Sequence, residues 1–151
     1  MLKLSKKLLF AIEAVLDIAY NSGSQPVQSR EITQRQGIPR RYLEQVLQQL
    51  VRAGVLTGVR GPRGGYLLAR ERRRITVGEI TRVVAALDPG EPLTETESAS
   101  ELGRRVVRPL WAEVQERMME ELDKTTIEDL CLKAHAAGVE SEARQRLDFT
   151  I

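Results

Sequence analysis

Cysteine, histidine and aromatic residues are scarce in this sequence of 151 residues, which has one cysteine, one histidine and one tryptophan. A single cysteine, Cys131, cannot build a disulfide framework or a multi-cysteine metal site within one chain, and it fits a reducing compartment. His135 has no partners at metal-ligand spacing, so no metal site is expected. Cys131 shares a predicted helical face with Ile127 and Ala134, and we interpret the thiol as a small buried hydrophobe rather than a redox switch.

Long apolar runs are absent as well, although 42% of the residues are hydrophobic. After the basic start of the chain, the apolar run from Leu8 to Ile12 is interrupted by Glu13. A signal peptide needs a longer run, and a membrane helix needs about 20 apolar residues. We therefore expect a cytoplasmic protein without membrane contact. The sequence has no recognisable nucleophile–base pair, phosphate-binding loop or metal-ligand spacing, so an enzyme is not expected.

The small net charge of +2 conceals a strong asymmetry between the two halves of the chain. Residues 1–74 contain 14 Lys/Arg and 5 Asp/Glu, a net charge of +9, whereas residues 75–151 contain 9 and 16, a net charge of −7. A basic half beside an acidic half indicates that one part binds a polyanion. The alternative is a chance asymmetry of solvated surface, and the motifs must decide between the two.

The first half has the element order of a winged helix-turn-helix. Apolar residues at spacings of three and four predict a first helix over residues 4–19. Ser29 is expected to cap a short second helix, and a third helix is expected to begin at Pro39. Two short strands follow at 55–59 and 66–69, joined by a turn rich in Gly and Pro. This order predicts two helices that cross at a tight turn, followed by a hairpin wing.

The third helix and the wing carry side chains that suit DNA. The helix face opposite the apolar stripe carries Arg41, Gln45, Gln48 and Arg52, and Glu44 lies at its margin. Arg pairs with guanine, Gln with adenine, and Glu accepts a hydrogen bond from cytosine. Arg60 and Arg63 flank a thin wing tip that suits the DNA backbone or a narrow minor groove. Three lysines near the start of the chain are expected to contact phosphates: Lys3, Lys6 and Lys7. Each feature alone is typical of a solvated surface, but their conjunction predicts DNA binding.

The second half reads as helices separated by one loop. Thr76 and Glu79 form a capping-box pattern that opens a fourth helix, and Thr126 with Asp129 marks the start of a last one. Pro109 begins or kinks a long helix between them, whose apolar stripe is Leu110, Trp111, Val114, Met118 and Leu122. The expected organisation is a DNA-binding domain at 1–87, a loop at 88–108, two helices at 109–138, and a frayed or disordered tail at 139–151.

Residues 2–133 resemble the Rrf2 family of bacterial winged-helix transcriptional regulators. Four segments carry the resemblance: Leu4-Ser5-Lys6 with Ala11 and Ala14; Gln36-Gly37-Ile38 with Tyr42-Leu43-Glu44-Gln45; Val59-Arg60-Gly61-Pro62 with Gly64-Gly65-Tyr66-Leu67; and Leu110-Trp111 with Thr126-Ile127-Glu128-Asp129-Leu130. The resemblance implies a mainly α fold with a small β-hairpin wing and a long dimerisation helix. It implies a homodimer that reads a palindromic operator with two recognition helices and two wings.

Family resemblance also puts Tyr42, Glu44, Gln45 and Arg60 at the DNA surface. Together with the residues above, the set expected at DNA is Lys3, Lys6, Lys7, Ser29, Arg40, Arg41, Tyr42, Glu44, Gln45, Gln48, Arg60, Arg63 and Gly64. The set expected at the dimer interface is Leu110, Trp111, Val114, Met118 and Leu122.

One feature of many relatives is missing from the sequence. They hold an iron–sulfur cluster with three cysteines in the loop before the dimerisation helix, and residues 88–108 contain no cysteine. Because thiolates hold such clusters, no cluster and no other cofactor is expected.

The sequence therefore predicts a homodimeric, sequence-specific DNA-binding regulator without a cluster, expected to act as a repressor. Its signal is left open between a small effector and a protein partner. The alternative from another class is a winged-helix module that docks a partner enzyme or regulator rather than DNA. The basic wing favours DNA.

Overall fold

The computed structural model describes residues 5–87 and 100–143. This part of the chain contains six α-helices, a two-stranded hairpin, a 3₁₀ turn at Arg72–Arg74 and a π-helical segment at Gly103–Val107. The helices and strands are α1 (Lys6–Asn21), α2 (Ser29–Gln36), α3 (Arg40–Arg52), β1 (Leu56–Val59), β2 (Gly65–Leu68), α4 (Val77–Leu87), α5 (Arg108–Lys124) and α6 (Ile127–Ala136). The prediction of a mainly α fold with a hairpin wing is confirmed.

Helix α1 is the centre of the packing. One side of it presents Ala11, Ala14, Val15 and Ile18, all of which are fully buried. Helices α2, α3, α4 and α6 and strand β2 all contact this helix. Its small residues let neighbouring helices approach closely, so one helix can hold both halves of the described fold together.

The turn between α2 and α3 is built as the sequence predicts, with one correction at its start. Gln28, not Ser29, is the N-cap of α2, and the Gln28 backbone N–H donates to Glu31 at 2.8 Å. The expectation that Ser29 caps this helix was wrong because Glu31, three residues after Gln28, completes the reciprocal bond from inside the helix. Gly37 then ends α2 in the left-handed region, with φ of 67°, and Pro39 is the N-cap of α3.

The wing is an antiparallel hairpin that a third segment joins. Strands β1 and β2 pair in the register Leu56 with Leu68 through Val59 with Gly65. Val27, which precedes α2, exchanges two backbone hydrogen bonds with Tyr66 at 3.0 and 2.8 Å. A Cβ on Gly65 would lie 2.4 Å from the Val27 carbonyl oxygen, so the close approach requires glycine there. The bridge ties the wing directly to the helix-turn-helix.

Helix α5 begins earlier than the sequence predicts. Residues 101–107 are helical, mostly as a π-helix, so the last third of the expected loop at 88–108 was wrong; residues 88–99 lie outside the described part. The π-helical bond from the Arg108 N–H to the Gly103 carbonyl just precedes Pro109. This wider turn accommodates a proline that has no N–H and crowds the preceding carbonyl groups, so the helix continues through it.

The segment after α6 is docked, and the expectation of a frayed tail was wrong for residues 139–143. The Ser141 hydroxyl donates to the Tyr20 carbonyl at 2.6 Å, and the Glu142 N–H donates to Asn21 Oδ1 at 3.1 Å. Ser141 is buried. Local polarity suggested a solvated tail, but this polar segment caps the carboxyl end of α1; residues 144–151 lie outside the described part.

Candidate nucleic-acid interface

Helix α3 has one buried face and one exposed face. Leu43, Val46, Leu47 and Leu50 are fully buried. On the other side, three polar side chains are exposed, as the sequence predicts: Arg41, Gln45 and Gln48. The apolar face fixes the helix to the core, and the long polar side chains point away from it.

Tyr42 anchors α3 to α1. Its hydroxyl donates to the Lys7 carbonyl, and its ring centroid lies 6.1 Å from that of Phe10 in a tilted arrangement. The residue is half-buried, so it positions the first turn of α3 beside the first turn of α1. The expected contact of Tyr42 with DNA stays a prediction, now limited to the part of the ring that solvent reaches.

Arg40 and Glu44 form an exposed ion pair one turn apart on α3, with 3.1 Å between Nε and Oε1. Such pairs contribute little to stability. A carboxylate has about four lone-pair sites, so Glu44 can hold Arg40 and still accept a further hydrogen bond.

Three helices begin with cations. Lys6 and Lys7 open α1, Arg30 is in the first turn of α2, and Arg40 and Arg41 open α3. The first turns of α1 and α3 contain no acidic residue, and neither N-cap makes a side-chain hydrogen bond. A helix N-terminus carries partial positive charge, so cations there are unfavourable unless an anion is added. Each of these helix starts therefore suits an anion such as a phosphate.

Arg30 was not among the residues that the sequence singled out. It is exposed and adjoins Ser29, which is half-buried. A cation in the first turn of a helix was the available signal, because the helix dipole disfavours it. Lys3, which the sequence did single out, lies outside the described residues.

The wing tip is both basic and structurally constrained. Arg60 and Arg63 are exposed, whereas Gly64 is buried. A Cβ on Gly64 would lie 2.2 Å from the Val59 carbonyl oxygen, so this glycine shapes the turn. Gln28 Nε2 donates to the Pro62 carbonyl at 3.4 Å, which holds the tip beside the start of α2. The two arginines are therefore presented by a turn that is tied to the helix-turn-helix.

A buried ion pair fixes α2 against α1. The Arg35 guanidinium donates two hydrogen bonds to the Asp17 carboxylate, at 2.8 and 2.7 Å, and Gln36 adds a third at 2.9 Å. The Asp17 side chain is fully buried, and Glu142 binds Arg35 from the other side at 2.9 Å. The carboxylates raise the pKa of Arg35 above its ordinary value. Local sequence patterns contain no sign of this pair, because its members are 18 residues apart.

Helix α5 and the π-helical segment leave an apolar face uncovered. Seven large side chains on it are 41–72% exposed: Leu102, Val106, Val107, Leu110, Trp111, Val114 and Met118. Leu122 is half-buried and lies outside this exposed set. On the covered side, Arg82 of α4 binds Asp123 through two hydrogen bonds of 2.8 and 2.7 Å, and Asp123 also lies against Gly78. The apolar face therefore points away from the rest of the described chain.

The residues present do not fit an iron–sulfur cluster held by three cysteines. Cys131 is the only cysteine of the chain, and it is 2% exposed. Within the described ranges, no three His, Cys, Asp or Glu side chains come together as a metal site. Helices able to span a bilayer are likewise not found there.

Comparison with known proteins agrees with this geometry. Residues 4–133 match the Rrf2 family, described as "Iron-dependent Transcriptional regulator". The chain is 35% identical over 132 residues to the HTH-type transcriptional regulator IscR of Cronobacter sakazakii, covering 85% of this chain and 80% of that one. It is 33% identical over 153 residues to IscR of Vibrio campbellii, covering 99% and 88%.

Solved structures show the same fold. The structure of T. potens IscR superposes with a TM-score of 0.71 at 36% identity and covers 90% of each chain. CymR, the global cysteine regulator of B. subtilis, superposes with a TM-score of 0.68 at 34% identity, covering 88% of this chain and 98% of that one. The winged helix, the long helix α5 and this likeness over most of the chain lead to one assignment: the chain belongs to the Rrf2 family of DNA-binding transcriptional regulators, and it is not an enzyme.

Proposed function

We propose that this regulator is a homodimer that represses transcription by binding a palindromic operator, without an iron–sulfur cluster. The observation that carries the proposal is the set of exposed cations at the starts of α1, α2 and α3, together with a basic wing. These cations oppose the helix dipoles in the free protein, and a polyanion relieves that opposition.

Recognition divides between two elements. Helix α3 enters the major groove, where Arg41, Gln45 and Gln48 reach base edges. The wing follows the adjacent backbone or minor groove, where Arg60 and Arg63 find the most negative potential. Lys6, Lys7 and Arg30 hold phosphates and set the register without specifying sequence.

Two chains pair through the apolar face of α5. The helix has 17 residues and is about 25 Å long, which is enough for a coiled-coil-like contact with a second copy. Its exposed apolar side chains are too numerous and too close together for an ordinary solvated helix. A two-fold pair places two α3 helices on one side of the dimer, so each operator half binds one helix.

Repression follows from occupancy. A dimer that covers two half-sites about one or two helical turns apart blocks access to a promoter that contains them. The single buried cysteine cannot replace three cluster ligands, so release from DNA depends on a different signal.

Charge reversal of the wing tests the proposal. The variant Arg60→Glu/Arg63→Glu should lose at least about ten-fold in affinity for operator DNA, since each lost contact costs about 1–3 kcal/mol. The matched control is Arg74→Glu/Lys133→Glu, because both residues are exposed and neither lies in the wing, in α3 or at the start of α1 or α2. Equal losses in the two variants would contradict a role for the wing. A different result would favour a protein-docking module. In that case the Arg60→Glu/Arg63→Glu variant still dimerises and binds a partner protein, and its DNA affinity is unchanged.

A further inference from the structure

A cavity of about 260 Å³ lies between the end of α1, the 3₁₀ turn after the wing, α6 and the docked segment 139–143. Ala19, Leu132 and Ala143 supply apolar wall, and Cys131 is buried in it. An apolar cavity of about 150 Å³ holds benzene, so this one has room for about ten non-hydrogen atoms. It is the size of a small metabolite rather than of a nucleotide.

Arg72 brings positive charge to the cavity wall. Arg72 and His135 line it, and no acidic side chain is among the described residues that do. Glu128 pairs with Arg72 at 3.8 Å, which leaves the guanidinium with further N–H donors. Burial raises the pKa of the Cys131 thiol, and nearby Arg72 opposes that rise. Arg72 and Cys131 line the same cavity, so a bound group can contact both the guanidinium and the thiol.

We infer that this cavity binds a small organic acid whose carboxylate pairs with Arg72 and accepts a hydrogen bond from His135, and whose apolar body lies against Ala19, Leu132 and Cys131. A guanidinium fork is the group that best matches a carboxylate. The apolar walls favour a short hydrocarbon body over a free inorganic anion.

Occupancy of the site connects the two functional halves of the chain. Arg72 follows the last residue of β2 by four positions, and the 3₁₀ turn packs on α6, which follows helix α5. A ligand that holds Arg72 against α6 fixes the exit of the wing relative to the α5–α6 unit. This regulatory consequence rests on the proposed function, whereas the binding site itself does not.

Cys131 makes the site directly testable, because it is the only thiol in the chain. Two alkylating reagents of similar size differ in charge: iodoacetate is a carboxylate, and iodoacetamide is neutral. In both reactions the thiolate sulfur bonds to the reagent carbon as iodide leaves. The ratio of the iodoacetate rate to the iodoacetamide rate is measured by mass spectrometry for the folded chain. It is then divided by the same ratio for the chain unfolded in guanidinium chloride.

The normalised ratio should be about ten, an enrichment that corresponds to 1.4 kcal/mol. It should fall to about one in Arg72→Gln and stay high in the control Arg74→Gln, which changes a neighbouring exposed arginine that does not line the cavity. A ratio near one in the folded wild type would overturn the site. The site is equally overturned if Arg72→Gln keeps the enrichment, or if neither reagent labels the folded chain.

The regulatory part has its own readout. Carboxymethylated protein should bind operator DNA at least several-fold more weakly or more tightly than carbamidomethylated protein, since only the former places a carboxylate beside Arg72. Equal affinities of the two labelled forms would overturn the coupling. Failure of the unlabelled protein to bind any selected DNA would count against the proposed function and would leave the labelling result standing.

Discussion

A cation in the first turn of α3 should lower the stability of the folded chain and raise its affinity for DNA. The substitution Arg41→Gln tests both effects. Arg41 is exposed at the positive end of the helix dipole, and the first turn of α3 has no acidic residue to balance it. A cation in this position costs roughly 0.3–1 kcal/mol. Removing its charge should therefore raise the free energy of unfolding by that amount, and the melting temperature by about 1–4 °C in a chain of this size.

The same substitution should weaken operator binding. If Arg41 pairs with a base, the loss of about 1–3 kcal/mol corresponds to about 5- to 150-fold in Kd. If it binds a phosphate instead, the slope of log K against log salt should become shallower by about 0.9. Fluorescence anisotropy with labelled operator, measured over a range of salt concentrations, distinguishes these two contacts.

Arg52→Gln is the matched control, because Arg52 is exposed in the last turn of the same helix. There the dipole favours a cation, so this variant should lose roughly 0.3–1 kcal/mol of stability. Its DNA affinity should change little, since it lies about 18 Å along the helix from Arg40. Two results would refute a dipole-opposed DNA contact at Arg41: destabilisation by Arg41→Gln like that of Arg52→Gln, or unchanged DNA affinity in Arg41→Gln.

Three further outcomes test other parts of the structure. Trp111, the only tryptophan, is 47% exposed in the single chain. Its fluorescence emission should therefore shift to shorter wavelength as rising protein concentration drives dimer formation. An unchanged spectrum from nanomolar to micromolar protein would contradict the α5 interface. Arg35→Met should lower the free energy of unfolding in urea by about 3–5 kcal/mol, because it leaves the buried Asp17 carboxylate without its cation. The double variant Asp17→Leu/Arg35→Met should lose much less. Equal losses in the two variants would mean that the buried charge is not the cause. Gly64→Ala should weaken DNA binding as strongly as the wing charge reversal, because its Cβ would meet the Val59 carbonyl oxygen at 2.2 Å; wild-type affinity in this variant would show that the turn adjusts freely.

The helix-turn-helix and wing were predictable because their signals are local. The apolar stripe of α3 repeats every three or four residues, and all four of its members are buried. The wing turn contains glycines that the geometry requires, such as Gly61 with φ of 107° and Gly64 with no room for a Cβ. Periodicity and turn chemistry act over a few residues, so a single sequence displays them.

What escaped prediction depends on contacts between distant residues. The segment at 139–143 is polar in sequence, yet Ser141 and Glu142 satisfy backbone and side-chain groups of α1 that are 121 residues away. Val27 gives no sign of pairing with Tyr66 across the chain. Helix 101–107 was obscured by Gly103 and Pro109, which ordinarily interrupt helices but are accommodated here by the π-helical turn. In these cases tertiary contacts or an unusual helical turn override local tendency.

For the candidate DNA-binding residues, the sequence predicts only the exposure that follows from their position on a helix face. Gln45 and Gln48 are exposed because they lie opposite the apolar stripe, and that followed from spacing. The structural role of Tyr42 and the pairing of Arg40 with Glu44 depend on neighbours that spacing does not specify.

Selection of bound duplexes from a random pool, followed by sequencing, tests operator recognition by the dimer most directly. The selected duplexes should contain an inverted repeat with two equivalent half-sites whose centres are separated by about 34–36 Å or a multiple of it. The variant Gln45→Ala/Gln48→Ala should lose preference within each half-site while the spacing persists. A pool that shows no enrichment, or a single unrepeated site, would contradict a dimer that reads DNA with two copies of α3.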